Sequence, residues 1–453
     1  MIDLSRIVKA YDVRGVVPDE LDADIARALG AAFARFTGAT KIVTARDMRE
    51  SGVPLGTAFA EGVTSQGVDV VESGLGSTDL LYYAAGSMGI PGAMFTASHN
   101  PAKYNGIKLC LAGAKPVGQE SGLVQIRQDA ERFLAEGLPT SERQGTITQQ
   151  DVLVAYAAYM KQLVPDLAGI RPLKVVVDAG NGMGGHTVPT TFKGLPLELT
   201  ELYFELDGSF PNHEANPIDP ENLRDLQKAV LAAGADLGLA FDGDADRCFV
   251  VDERGQIVSP STLTALIAAR ELAREPGSTI IHNLITSRSV PEVVAELGGT
   301  AVRTRVGHSF IKAEMARTGA VFGGEHSGHF YFRDFWNADS GMLAALHTIA
   351  ALGHTDVPLS SLLASYERYV PSGEINSTVD DQAGRIAAIK AAYDGKAVGG
   401  MDELDGLTVD LGDGAWFNVR ASNTEPLLRL NVEARTESEM KSLRDAVLAV
   451  VRG

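Results

Sequence analysis

From Ala235 to Val251 the chain reads ADLGLAFDGDADRCFVV. The apolar run before the acidic stretch and the run Cys248 to Val251 after it read as two β-strands, with Phe241 to Arg247 joining them. In extended backbone the residues at i, i+2 and i+4 share a side, so Asp242, Asp244 and Asp246 are expected to present three carboxylates together. Anions so close repel one another unless a cation neutralises them, and an oxygen-only donor set suits a hard divalent ion, Mg²⁺. A calcium EF-hand is the competing reading, and Glu253 even falls at its twelfth position. Its sixth position needs Gly, however, and here holds Arg247 with a strand directly behind it.

The same strand, polar loop and helix pattern recurs on both sides. Ahead of it lie KIVTARD (41–47), VDVVESGLG (68–76) and GAMFTASHN (92–100), with a helix over DADIARALGAAFARFTG (22–38). KVVVDAGNGMGG from Lys174 and LELTELYFELDG from Leu197 belong with the acidic stretch, and ENLRDLQKAVLAAG carries helical apolar spacing. Behind it come STIIHNLITS, TAVRTRVGHSFIK and AVFGGEHSGHF, with SVPEVVAELGG as an intervening helix. The pattern predicts three α/β units. The last eighty or so residues differ: two strands joined by an Asp-Gly turn in LTVDLGDGAWFNVRAS, a third in EPLLRLNVEA and a closing helix predict a small α+β domain. The expected boundaries fall near residues 150, 255 and 370, dividing the chain into 1–150, 151–255, 256–370 and 371–453.

Bulk properties narrow the function. A chain of 453 residues exceeds what one core serves, and 45% hydrophobic with 22% charged residues is ordinary for folded chains. A net charge of −18 argues against nucleic acid or an anionic membrane as partner, because both need clustered Lys and Arg. An anionic small-molecule substrate must then be held by local basic groups. Two cysteines, Cys110 and Cys248, make no disulfide framework. With no visible secretory signal and no apolar stretch of membrane-spanning length, the expected location is the cytoplasm.

Three more loops carry chemistry. Thr96-Ala97-Ser98-His99-Asn100-Pro101 follows an apolar strand, and Lys108 lies a few residues on; Ser98 on this turn reads either as a nucleophile or as a capping residue. Gly323-Gly324-Glu325-His326-Ser327-Gly328-His329 offers Glu325 and Ser327 to sugar hydroxyls, with glycines that admit a ligand close to the backbone; a plain Gly-rich connection is the alternative. Arg420-Ala421-Ser422-Asn423-Thr424-Glu425-Pro426 gathers a guanidinium, hydroxyls, an amide and backbone N–H groups, a cradle for a phosphate dianion. A nucleophile, three carboxylates, a hydroxyl-reading loop and a phosphate cradle together are the parts required for phosphoryl transfer on a sugar phosphate.

In these motifs, from Tyr11-Asp12-Val13-Arg14-Gly15 through TASHNP, DGDADR and GEHSGH to RASNTEP, the chain resembles the phosphohexomutase superfamily, and its phosphomannomutase/phosphoglucomutase branch in particular. The resemblance implies four domains around a central cleft, three related α/β units with mixed sheets and a small carboxy-terminal domain. It implies that Ser98 carries phosphate, and that Asp242, Asp244 and Asp246 hold Mg²⁺ with that phosphate completing the site. It implies further that Glu325 and Ser327 read sugar hydroxyls, and that Arg420, Ser422, Asn423 and Thr424 clamp the phosphate not being transferred. Tyr11, Arg14, Lys108, Arg247, His308 and His329 match positions lining the family's cleft; for the two histidines, proton transfer and substrate hydrogen bonding both stand. The implied reaction interconverts hexose 6-phosphate and hexose 1-phosphate, of mannose and/or glucose, through a hexose 1,6-bisphosphate. Phosphoglucosamine mutase is the near alternative, and a catalytically silent sugar-phosphate- and metal-binding regulator the alternative of another class.

Overall fold

The structure, a computed structural model, describes residues 3–422 and 426–453. The chain forms two compact units. One runs up to Val258 and adds Ser327–Ser360; the other combines Ser259–His326 with Ser361–Gly453.

The first unit opens with a seven-stranded mixed sheet. Its main path runs Val13–Val16, Tyr104–Leu111, Gly92–Phe95, Lys41–Arg46, Asp69–Leu75 and Ile147–Gln149. The strands linked by helices pair in parallel, as a crossover connection requires, while Tyr104–Leu111 returns antiparallel beside Gly92–Phe95. The helix Ala23–Thr37 begins where Asp22 accepts from the Ile25 amide and stops at Gly38 in the left-handed conformation. It packs tightly on the helix Gly52–Ser65 because the crossing is lined by Gly30 and Gly62. A Cβ on Gly30 would meet the Phe59 carbonyl at 2.2 Å, so Gly30→Ala would force the pair apart. Phe33, Phe59 and Phe95 fill the core beneath, each ring contributing roughly 2–3 kcal/mol by leaving water.

A second sheet in this unit has the order Ile257–Val258, Cys248–Asp252, Leu237–Phe241, Leu173–Asp178 and Leu197–Leu202. Every residue of Leu237–Phe241 and Cys248–Asp252 is buried, which is why these two strands read as continuous apolar runs. Phe241 pairs with Cys248, and the acidic stretch is the loop between them. The hairpin of Phe330–Phe332 with Ala338–Asp339 also belongs here, followed by the helix Gly341–Gly353 that Ser340 caps.

The other unit holds the parallel strands Thr300–Thr304, Thr279–Asn283 and Phe322–Gly324. It also holds the antiparallel sheet of Val370–Thr378, Leu427–Ala434, Ala415–Ala421, Leu407–Gly412 and Gly400–Asp402. Asp413 and Gly414, both at positive φ, make the expected Asp-Gly turn. The closing helix Glu437–Arg452 starts in a capping box of Thr436 with Glu439 and covers the core around Phe417 and Leu430. Among the described residues no helix is long and apolar enough to cross a membrane.

Candidate active site

Ser98 is 1% exposed and sits at φ 48°, a left-handed conformation that a non-glycine residue adopts only when its surroundings enforce it. Its amide donates to Thr96 Oγ1 at 2.9 Å and its hydroxyl to Asp242 Oδ2 at 2.7 Å, with His99 Nδ1 at 3.2 Å. Burial first, then the cations of Arg247 and Arg14, push the His99 imidazole down to about 3, so it faces the serine uncharged.

The three aspartates converge as expected but by another route. The loop is not extended. The Ala245 amide closes a turn onto the Asp242 carbonyl at 3.0 Å, and Ala245 takes φ 56°, so a turn aims the carboxylates together where strand alternation was expected to. Gly243 is required between them: a Cβ there would meet the Ser98 carbonyl at 2.4 Å, and its absence lets the two loops touch. Carboxylate oxygens of Asp242, Asp244 and Asp246 all lie within 4.8 Å of one another, and all three residues are buried.

Lys108 answers part of this charge. From the strand Tyr104–Leu111 its Nζ donates at 2.7 Å to both Asp244 Oδ2 and Asp246 Oδ2. Burial favours the neutral amine, but the two carboxylates outweigh it and hold the Lys108 pKa well above the usual range. Burial likewise works against ionised Asp246, yet the Lys108 ammonium brings it down to about 2. Asp242, with burial and two like charges against it, is pushed up. Its Oδ1 accepts from the Arg247 amide at 3.2 Å, and Arg247 Nε lies 3.6 Å from Oδ2.

The donor chemistry fits a hard divalent cation. Asp244 Oδ1 and Asp246 Oδ1 are buried and accept no hydrogen bond from the described residues, and the ligand atoms offered by the trio are all oxygen. Three carboxylates against Lys108 and Arg247 leave one negative charge, and a phosphate on Ser98 adds about 1.5 to 2 more. That much uncompensated charge is not stable in a buried site without a counter-ion.

The remaining residues of this unit close in around the cluster. Arg14 donates to Asn100 Oδ1 at 2.7 Å and Asp12 Oδ2 at 2.6 Å. Arg247 Nε also donates to His329 Nε2 at 3.2 Å; a guanidinium only donates, so Nε2 is the acceptor and His329 Nδ1 is left facing Ser327 Oγ at 3.0 Å. Tyr11 is 41% exposed on the segment leading to Arg14.

Other expected residues belong to the second unit. Glu325 is buried there and its Oε1 accepts from Asn283 Nδ2 at 3.1 Å and the Gly307 amide at 3.2 Å. Arg420 pairs with Glu374 at 2.6 Å, and the Ser422 amide donates to the Leu427 carbonyl. His308 begins the helix His308–Thr318, and its side chain, like Asn423 and Thr424, lies outside the described residues.

Two neighbours escaped sequence reasoning. Thr78 donates from Oγ1 to Asp244 Oδ2 at 2.6 Å and from its amide to the Asp244 carbonyl at 3.0 Å. Next to it, Asp79 is buried and accepts from Ser77, Tyr156 and Ser340. Ser77-Thr78-Asp79 does carry a helix-start signal, which is what it is, but nothing in the order of residues says that this helix begins against the acidic loop.

Comparison with known proteins places the whole chain. The family models for phosphoglucomutase/phosphomannomutase alpha/beta/alpha domains I, II and III match residues 5–132, 155–255 and 259–369, and that for the C-terminal domain matches 374–450. A phosphomannomutase of Escherichia coli is 38% identical over 454 residues, 98% of each chain. A phosphoglucomutase of Neisseria gonorrhoeae is 37% identical, covering 98% of this chain and 96% of its own. The crystal structure of a phosphoglucomutase/phosphomannomutase family protein from Burkholderia thailandensis shares 35% identity at a TM-score of 0.88, covering 100% of this chain and 98% of that one. With four domains matched in order and relatives aligned end to end, the chain belongs to the phosphoglucomutase/phosphomannomutase family of hexose-phosphate mutases.

Proposed function

We propose that the protein interconverts hexose 6-phosphate and hexose 1-phosphate, of mannose and/or glucose, by passing a phosphoryl group through Ser98 and a hexose 1,6-bisphosphate. The observation that carries this reading is the Ser98 hydroxyl, held in a left-handed turn 2.7 Å from Asp242 at the edge of a buried carboxylate trio. A hydrolase acting on a neutral ester would have no use for so much buried negative charge beside its nucleophile.

Asp242, Asp244 and Asp246, with the Ser98 phosphate, would hold Mg²⁺. Bound there, the ion offsets charge on the phosphoryl oxygens and polarises the phosphorus. Asp242 orients the Ser98 oxygen when it is free of phosphate. Lys108, Arg247 and Arg14 supply fixed positive charge where the transferring oxygens spread theirs, and being preorganised they cost nothing to arrange at the moment of reaction. His329 and His308 serve the sugar hydroxyl, either as proton carriers or as hydrogen-bond partners. Tyr11 contacts substrate, Glu325 and Ser327 read sugar hydroxyls, and Arg420, Ser422, Asn423 and Thr424 grip the phosphate at the far end. A clamp that recognises a dianion in place of a particular carbon lets the bisphosphate return turned end for end.

The division at 150, 255 and 370 is part of the same proposal, supported by the matched ranges above. So is a reducing, cytoplasmic setting, which accords with two buried cysteines, Cys110 and Cys248, far apart in the chain. Intact mass of the protein before and after incubation with hexose 1,6-bisphosphate and Mg²⁺ tests the mechanism. A single phosphate-sized increment mapped to Ser98 is expected, and rapid release of inorganic phosphate without it would refute the mutase reading. Assays of mannose, glucose and glucosamine 1-phosphates side by side identify the sugar.

A further inference from the structure

Arg49 touches none of the three carboxylates, yet it is 1% exposed and every N–H of its guanidinium is used. Nη2 donates to the carbonyls of Ser98 at 3.0 Å and Asn100 at 2.6 Å. Nη1 donates to those of Pro101 at 3.0 Å and Tyr104 at 2.9 Å. Nε points to Asp47 Oδ2 at 3.3 Å, and Asp47 Oδ1 accepts from the Arg49 amide at 2.9 Å. The Asp47 amide in turn donates to the carbonyl of Phe95, the last residue of the strand that leads into the loop. Phe210 covers the guanidinium, its ring centre 5.1 Å from the central carbon.

We propose that Arg49 is a positioning residue for phosphoryl transfer, fixing the main chain of residues 98–104 so that Ser98 keeps the left-handed conformation that aims its oxygen into the carboxylate cluster. The inference rests on Ser98 being the phosphoryl carrier. Its physical basis is that the strained residue and the clamped carbonyl are the same one: Ser98 at φ 48° offers its own carbonyl to Arg49. A general fold staple would spread its bonds over several elements, whereas four of these five donors go to one seven-residue segment. Only a planar fork with five donors can satisfy that set; an ammonium of equal charge offers three from a single point. Released from the fork, Ser98 relaxes toward negative φ and its oxygen swings away from Asp242. A misplacement of about 1 Å costs on the order of 100-fold in rate.

The test uses full-length Arg49→Lys, with Phe33→Leu as a control that loosens the same domain's core away from the site. Thermal melting, kcat and KM for hexose 1-phosphate, and the rate of phosphate transfer from hexose 1,6-bisphosphate to Ser98 are measured for each. Arg49→Lys is expected to lose about 100-fold in kcat and in Ser98 phosphorylation with KM within about twofold, while Phe33→Leu melts lower and keeps its kcat. An Arg49→Lys protein that melts lower but turns over like wild type overturns the proposal. Should that variant not fold, Asp47→Asn, which weakens the hold on Nε and leaves the four carbonyl contacts in place, is expected to lower kcat about tenfold, and an unchanged kcat there overturns it equally. Wild-type protein that takes no phosphate at Ser98 refutes the reaction itself, and this inference with it.

Discussion

Asp79 makes a prediction about stability that can be worked from its surroundings. It is fully buried on the helix Thr78–Met88, and burial first of all raises its carboxyl from 3.8 to about 7, against the pull of hydroxyls from Ser340, Ser77 and Tyr156. An acid whose pKa is higher folded than unfolded binds more protons in the folded state, so stability falls as pH rises from about 4 to about 7 and levels off above. A shift of roughly three units is worth about 4 kcal/mol at 1.36 kcal/mol per unit. Asp79→Asn removes the titration while keeping an acceptor for the same hydroxyls, which can also turn and accept from its amide. The variant is therefore expected to gain on wild type by about 3 kcal/mol between pH 5 and pH 8.

The assay follows from the aromatic cluster. Trp336 stacks on Tyr159 at 5.4 Å and meets Tyr83 of the same helix, and the chain has two tryptophans. In a Trp416→Phe background, Trp336 fluorescence reports unfolding around Asp79 alone. Urea titrations at pH 5, 6, 7 and 8 should show the two proteins diverging as pH rises. A gap that stays constant, or that widens toward acid, would falsify the assignment of a raised pKa to Asp79.

Ser98→Ala should lower hexose-phosphate interconversion by at least about 10⁴-fold and abolish the mass increment, since removing a nucleophile leaves only binding and electrostatics; substantial residual turnover would remove Ser98 from the mechanism. Lys108→Met strands Asp244 and Asp246 as buried anions, so the metal-free protein should lose about 3–5 kcal/mol in chemical denaturation, part of it recovered with Mg²⁺; equal stability of both proteins without metal would refute the ion-pair argument. Mg²⁺ at 100 times its dissociation constant should stabilise wild type by about 2.7 kcal/mol and leave Asp246→Ala unmoved, and a variant that still responds would place the cation elsewhere.

Much of the fold was readable because its signals are local. Strands buried on both faces, such as Leu237–Phe241, show as apolar runs, and Asp22 with Gly38 brackets a helix whose bounds come within a residue of those expected. What sequence missed is pairing. Tyr104–Leu111 is not among the expected strands, because Asn105, Gly106 and Lys108 dilute its apolar alternation, yet it lies between Val13–Val16 and Gly92–Phe95. Val13–Val16 is distant in sequence, and pairing with a remote strand leaves no local signature.

The site divides in the same way. Chemical identity was legible: three aspartates two residues apart, a serine ahead of Asn-Pro and a lysine beyond it are types that have little reason to cluster except around charge. Their geometry was not. Alternation along a strand would have spread the carboxylates along one edge, whereas the turn at Ala245 closes them into a group that can face one ion. Within that turn Gly243 lets the loop press against the Ser98 carbonyl, and the same carbonyl accepts from Arg49. The acidic motif and the serine motif are therefore not two independent signals that happen to meet. They meet in a main-chain approach at Gly243 and in the hydrogen bond from the Ser98 hydroxyl to Asp242, so a larger residue at position 243 would push the two loops apart.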